Sequence, residues 1–68
     1  MFGERLKKLR KERKVPQQQL ADVMGVKLRA YQGYETETHE PRIQGLISLA
    51  NFYDVSIDYL VGRKDTPN

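Results

Sequence analysis

Gly25 is the residue that most constrains what this chain can fold into. Before it, Leu20, Ala21, Val23 and Met24 recur at helical spacing; after it, Tyr31 and Tyr34 stand three residues apart on a second short segment. Glycine enters the left-handed backbone region without a steric cost, so a helix can stop at Gly25 and another can begin almost at once. Two helices joined so tightly cross at a steep angle. The first must then offer a tiny side chain where the second approaches, and Ala21 lies one turn before the glycine. Val26 and Tyr31 are placed to fill the angle. A helix, a glycine turn and a second helix within about twenty residues meet the requirements of a helix-turn-helix.

The rest of the chain reads as further short helices. Phe2, Leu6 and Leu9 make one apolar stripe on an otherwise charged first segment. Pro16 ends that segment and suits the first turn of the next helix, where its missing N–H would have no partner anyway. The third helix is expected over residues 28–35, followed by a polar loop from Thr36 to Pro41. A fourth is expected over residues 42–53, with Ile43, Leu46, Ile47, Leu49, Ala50 and Tyr53 apolar over a wide arc. Ser56 is a good N-cap for a fifth helix, and Asp58 favours its positive start. Ile57, Leu60 and Val61 carry this helix, and Gly62 ends it. No stretch alternates apolar and polar residues as a half-buried strand would, so the expected class is all-α.

Sixty-eight residues make one domain at most, too small for a deep catalytic cleft. Without cysteine, neither a disulfide framework nor a thiolate metal site is possible. Stability must come from apolar packing, helped by self-association. No apolar run approaches the ~20 residues that span a bilayer, and Met1-Phe2-Gly3-Glu4-Arg5 does not open a signal peptide, so the expected location is the cytoplasm. The charge is polarised. Residues 1–14 carry a local +5, residues 15–34 a local +1 and residues 35–68 a local −3. Either the first helix has a solvated basic face, or one face of the molecule meets an anionic partner.

These residues resemble the Cro/repressor-type helix-turn-helix family, which includes the phage lambda-type repressors. The resemblance runs from residue 2 to about residue 63. It rests on Leu6, Leu9-Arg10, Gln17, Leu20-Ala21, Gly25-Val26, Tyr34-Glu35, Pro41, Leu49-Ala50, Val55-Ser56 and Asp58-Tyr59-Leu60, in that order and spacing. It implies a compact five-helix bundle over residues 1–63, with the third helix entering the DNA major groove and residues 64–68 forming a tail or linker. It also implies a bacterial or phage transcriptional regulator, most simply a repressor, with double-stranded DNA as partner and no cofactor, metal or small-molecule ligand.

By this resemblance, Leu28, Arg29, Gln32 and Gly33 lie where the family faces base edges. Arg29 can pair bidentately with guanine and Gln32 with adenine, each pairing worth ~1–3 kcal/mol of discrimination, and Leu28 can pack on a thymine methyl. Gln17 stands where the family grips a phosphate at a helix start. Arg10, Lys14 and Arg42 are further candidates for backbone contacts. Arg10 is also expected to pair with Glu35. Lys27 occupies a helix start usually held by Ser or Thr. A cation there opposes the helix dipole by ~0.3–1 kcal/mol, a cost that a bound phosphate would reverse.

Three further positions and one loop depart from the family pattern. Gly33 lies inside the recognition helix, either to let the backbone approach DNA or as a weak point. Tyr31 replaces an aliphatic residue. Glu37 stands where the family has glycine, so it must take the helix-ending geometry at some strain. The loop through Glu37 and Glu40 is acidic for a neighbour of phosphates. Tyr31 and Tyr34 read as core residues rather than base-stacking ones. His39 has no metal-binding or catalytic partner, Glu37 reads as a solvated charge, and Ser56 reads as a cap. Phe52, Ile57, Tyr59 and Val61 cannot all point inward, which suggests a homodimer formed through this end. The alternative is a monomer lacking a C-terminal partner domain. A second functional reading is a protein-interaction module, an antitoxin or anti-repressor built on the same fold. It would use the acidic second half.

Overall fold

The apolar stripe of Phe2, Leu6 and Leu9 forms the inner face of α1 (Phe2–Arg13), with Leu6 and Leu9 buried and Phe2 half-buried. The structure, a computed structural model, describes residues 2–67 and is helical throughout, with no strand among the described residues. Met1 and Asn68, the ends of the expected domain and tail, lie outside the described residues. The remaining helices are α2 (Gln17–Met24), α3 (Leu28–Thr36), α4 (Ile43–Tyr53) and α5 (Ile57–Leu60). Pro16 serves as the N-cap of α2 rather than sitting inside its first turn, and Arg42 is likewise the N-cap of α4 rather than its first helical residue.

The stops follow local chemistry. Gly25 is left-handed, at φ 71°, and its N–H and that of Val26 satisfy carbonyls at the end of α2. Gly62 turns the chain after α5 at φ 86°. Ser56 caps α5, its Oγ accepting from the Tyr59 N–H at 3.1 Å. Glu37 takes the left-handed position at φ 63° that its place after α3 demands. Lys14 and Asp54 do the same after α1 and α4.

The core joins Leu6 and Leu9 of α1, Leu20 and Ala21 of α2, Tyr31 and Tyr34 of α3, Leu49, Ala50 and Tyr53 of α4, and Tyr59 and Leu60 of α5. Helix α2 packs on both α3 and α4, while α1 packs on α3 and α5. Ala21 is fully buried at the crossing, and Tyr31 behind it is fully buried too. Two parts of the apolar reading need correction. Ile43 and Ile47 do not join the core: they are 61% and 39% exposed, because the buried stripe of α4 runs through Leu49, Ala50 and Tyr53 instead. Tyr59 is withdrawn from the expected dimer patch, because its ring is buried beneath the Arg5 guanidinium, 4.2 Å away. Phe52 stays 39% exposed, and Ile57 and Val61 are half-buried.

Residues 63–67 fold back on the domain. Arg63 and Lys64 donate their N–H groups to the Asp58 carbonyl, and the Ser56 N–H donates to Pro67 at 2.8 Å. Arg5 reaches the Tyr59 and Lys64 carbonyls and lies 3.5 Å from Asp65.

Candidate nucleic-acid interface

Glu35, in the last turn of α3, is the hub of the helix-turn-helix. Its side chain is 5% exposed, and a carboxylate so placed needs partners. Arg10 supplies a two-pronged pair: Nε donates to Oε2 at 2.6 Å and Nη2 to Oε1 at 3.1 Å. The Tyr31 hydroxyl donates to Oε2 at 2.5 Å, and Gln17 Nε2 donates to Oε1 at 3.2 Å. Burial alone would raise the Glu35 pKa, but the hydrogen bonds from Arg10, Tyr31 and Gln17 outweigh it and hold the carboxyl below the usual glutamate range. The Tyr31 hydroxyl is pushed well above the usual tyrosine range by burial first and by its bond to Glu35 second.

The Arg10–Glu35 pair is thus formed, and it ties α1 to the end of α3. It also occupies two of the three guanidinium nitrogens, so a phosphate contact from Arg10 must use what remains. Gln17 turns inward to Glu35 and accepts at its Oε1 from Gln32 Nε2, 3.1 Å away. The start of α2 is therefore linked to the exposed middle of α3. The sequence placed Gln17 and Gln32 in separate roles. Their contact depends on the angle between two helices, which no spacing reveals.

The outer face of α3 presents Arg29 and Gln32, both exposed, with Leu28 half-buried at the helix start. Lys14, Lys27 and Arg42 are exposed as well. Gly33 does not share this exposure. It is buried, and a Cβ there would come within 2.4 Å of His39 Nδ1 and 3.2 Å of Thr38 Oγ1. Its carbonyl also accepts from the Thr38 and His39 N–H groups. The glycine admits the following loop, not an outside molecule, because the chain doubles back over it. His39 thereby has a place in the fold that its isolation in the sequence did not suggest.

Glu37 also differs from its reading as a solvated charge. Its Oε2 accepts from the Gly3 N–H at 3.1 Å, so it caps α1 from 34 residues away. Gly3 has no room for a Cβ, which would lie 2.4 Å from the Glu35 carbonyl oxygen.

The helix starts fall into two groups. Helix α1 receives Glu37 and carries Glu4 in its first turn; α5 has the Ser56 cap and Asp58. Helices α2, α3 and α4 begin at Pro16, Lys27 and Arg42, with no side-chain cap and no acid in the first turn. These three starts surround α3: Gln17 touches Gln32, and one groove lined by Met24, Gly25, Val26, Arg42 and Gly45 joins the α2–α3 turn to the start of α4. Uncapped N–H groups carry the positive end of each helix dipole, and two of the three are reinforced by a cation. Among the described residues, no group of three or more His, Cys, Asp or Glu side chains could hold a metal ion. No helix among them is long and apolar enough to cross a membrane.

Two helices joined at the left-handed Gly25 and packed together over the buried Ala21, with an exposed polar helix and open helix starts around it, define a helix-turn-helix domain. The sequence model of the helix-turn-helix family matches residues 6–60, and the chain belongs to that family. It is 43% identical over 68 residues to YobD of Bacillus subtilis, named an uncharacterized HTH-type transcriptional regulator; the match takes in 100% of this chain and 61% of YobD. The chain spans 53% to 61% of the length of this and two further Bacillus subtilis regulators that it matches. Its fold is similar to that of a transcriptional regulator from Listeria innocua (TM-score 0.87, 37% identity, 91% of this chain and 58% of that one). It is also similar to the P22 c2 repressor, solved in complex with a synthetic operator (TM-score 0.84, 31% identity, 94% of this chain and 97% of that one).

Proposed function

We propose that this chain binds double-stranded DNA sequence-specifically as a transcriptional regulator, a repressor in a bacterium or phage. The observation that carries the reading is the division of helix starts. The three starts around α3 are left open to anions, and the two elsewhere are closed by carboxylate or hydroxyl. Phosphates suit such starts, and Lys27 and Arg42, which oppose the dipoles in the free protein, become favourable beside them. The similarity to the P22 c2 repressor, itself solved with an operator, supports the same reading.

In this account, α3 lies in the major groove. Arg29 reads guanine and Gln32 reads adenine. Leu28 packs on a thymine methyl. Lys14, Lys27 and Arg42, the free edge of Arg10 and the start of α2 at Gln17 hold the backbone. Gly33 drops out as a base contact because the loop covers it. The domain pairs as a homodimer through Phe52, Ile57 and Val61, without Tyr59. The setting is the cytoplasm, on the chromosome, and the chain has no enzymatic role.

Two substitutions test the assignment. Arg29→Ala is expected to relax preference at one base position, at a cost of ~1–3 kcal/mol. Gln17→Ala weakens all duplexes by a similar factor. Titration against duplexes varied one base pair at a time measures both. A uniform loss from Arg29→Ala would make Arg29 a backbone contact instead.

A further inference from the structure

We propose that Lys7 and Lys11, on the outer side of α1, extend Lys14 into a row that grips the DNA backbone at the edge of α3 without reading its sequence. The proposal rests on the reading of this chain as a duplex DNA-binding domain.

Seven cations lie in the first fourteen residues, and the structure divides them by type. The three arginines are engaged within the protein. Arg5 donates to the Tyr59 and Lys64 carbonyls, and Arg10 donates to Glu35. Arg13 reaches the Tyr53 carbonyl at 3.5 Å, with its guanidinium 5.7 Å from the centre of that ring. The four lysines, Lys7, Lys8, Lys11 and Lys14, are exposed, and none has an ion pair among the described residues.

Their places around the helix differ. Counted at about 100° per residue, Lys14 lies about 40°, Lys7 about 60° and Lys11 about 100° round from Arg10, on the side away from Leu6 and Leu9. Arg10 bonds Glu35, and a Cβ on Gly3, in the same row, would meet the Glu35 carbonyl oxygen. This row therefore marks the side of α1 that lies against the end of α3, and the three lysines continue outward from that edge. Lys8 faces another way, about 160° from Arg10, with Glu4 and Glu12 four residues to either side. Lys11 has no acid so placed: its neighbours three and four residues off are Lys7, Lys8, Lys14 and Val15.

Like charges one turn apart on a helix repel. The negative end of the dipole offsets this for Lys11, in the last turn, and for Lys14 just beyond it. It does not reach Lys7 in mid-helix, so a role in holding the helix end leaves Lys7 without an account. An anion along the row relieves the repulsion for all three. From Lys7 to Lys14 the row spans about 10 Å of helix, the axial rise of about three phosphates on one DNA strand. That is the reach of a stretch of backbone rather than of a single carboxylate.

The test compares the full chain with Lys7→Gln/Lys11→Gln and with Lys8→Gln, each titrated over a range of salt with a mixed-sequence duplex several helical turns long. All three side chains are exposed, and a thermal melt checks that each variant stays folded. Each phosphate held contributes about 0.9 to the slope of log affinity against log salt, so the double variant is expected to lower the slope by about 2. Lys8→Gln leaves the slope unchanged, and Lys7→Arg/Lys11→Arg restores it. Preference among duplexes varied at the base pair read by Arg29 stays as in the wild type. A wild-type slope in the double variant would overturn the proposal. If that slope came with a loss of low-salt self-association in sedimentation, the row would belong to the acidic half of a second copy. A loss from Lys8→Gln as large as that per lysine in the double variant would also overturn it, since net charge alone would then be at work. A wild-type chain that binds no duplex would overturn the DNA reading itself and this proposal with it, whereas the other failures leave that reading standing.

Discussion

At the scale of single residues, the interior of this domain depends on tyrosines with unequal hydrogen-bonding situations. The Tyr31 hydroxyl has Glu35 as its acceptor. The Tyr53 hydroxyl is buried with no hydrogen-bond partner among the described residues, and burial pushes its pKa up to about 12. A buried donor left unmade costs on the order of 1–3 kcal/mol. Tyr53→Phe is therefore expected to stabilise the chain by about 1 kcal/mol, which raises the Tm of a domain this size by roughly 4–8 °C in a thermal melt. A lower Tm would show that the hydroxyl is satisfied in solution. The spacing of Tyr31, Tyr34 and Tyr53 already placed their rings in the core. It could not show where each hydroxyl ends, because that depends on residues such as Glu35 and on the angle at which other helices cross.

The helices were legible wherever their ends are governed by neighbours in sequence. Gly25 and Ser56 act within a few residues, and both behave as their chemistry requires. The same holds for Glu37, whose left-handed backbone follows from its place after α3. What could not be read is the reason that Glu37 is tolerated. The contact from Glu37 to Gly3 joins positions 34 apart and exists only once α1 lies against α3. The same limit hid the covering of Gly33 by His39 and the outward turn of Ile43. Glu37 sets two effects against each other. The left-handed conformation costs a non-glycine residue ~1–2 kcal/mol, and a capping side chain contributes ~0.5–2 kcal/mol. Glu37→Gly trades one for the other and is expected to unfold in urea within about 1 kcal/mol of the wild type. Glu37→Ala keeps the strain and loses the cap, so it is destabilised by about 1–2 kcal/mol. A Glu37→Ala midpoint equal to that of the wild type would contradict the capping role, and equal midpoints for the two variants would contradict the strain.

At the scale of the whole molecule, the chain is organised by sign. Its basic residues cluster in the first fourteen positions, and the acids lie mostly in the second half. The structure adds a finer pattern: acidic or hydroxyl partners close the starts of α1 and α5, while α2, α3 and α4 start open around the exposed face of α3. The sequence carried the first pattern and the positions of Lys27 and Arg42, but not the grouping of the open starts, which arises from packing. Apolar surface is left on Phe52, Ile57 and Val61, the residues through which the domain is proposed to pair. Both features bear on one measurement: selection of this chain's ligands from a random duplex DNA pool at near-physiological salt, followed by sequencing. The account predicts an inverted repeat with half-sites about one helical turn apart, containing a G·C pair read by Arg29 and an A·T pair read by Gln32. A bound pool no different in sequence from the starting pool would contradict it and would leave the open helix starts as a sequence-blind anion surface or a site for a protein partner.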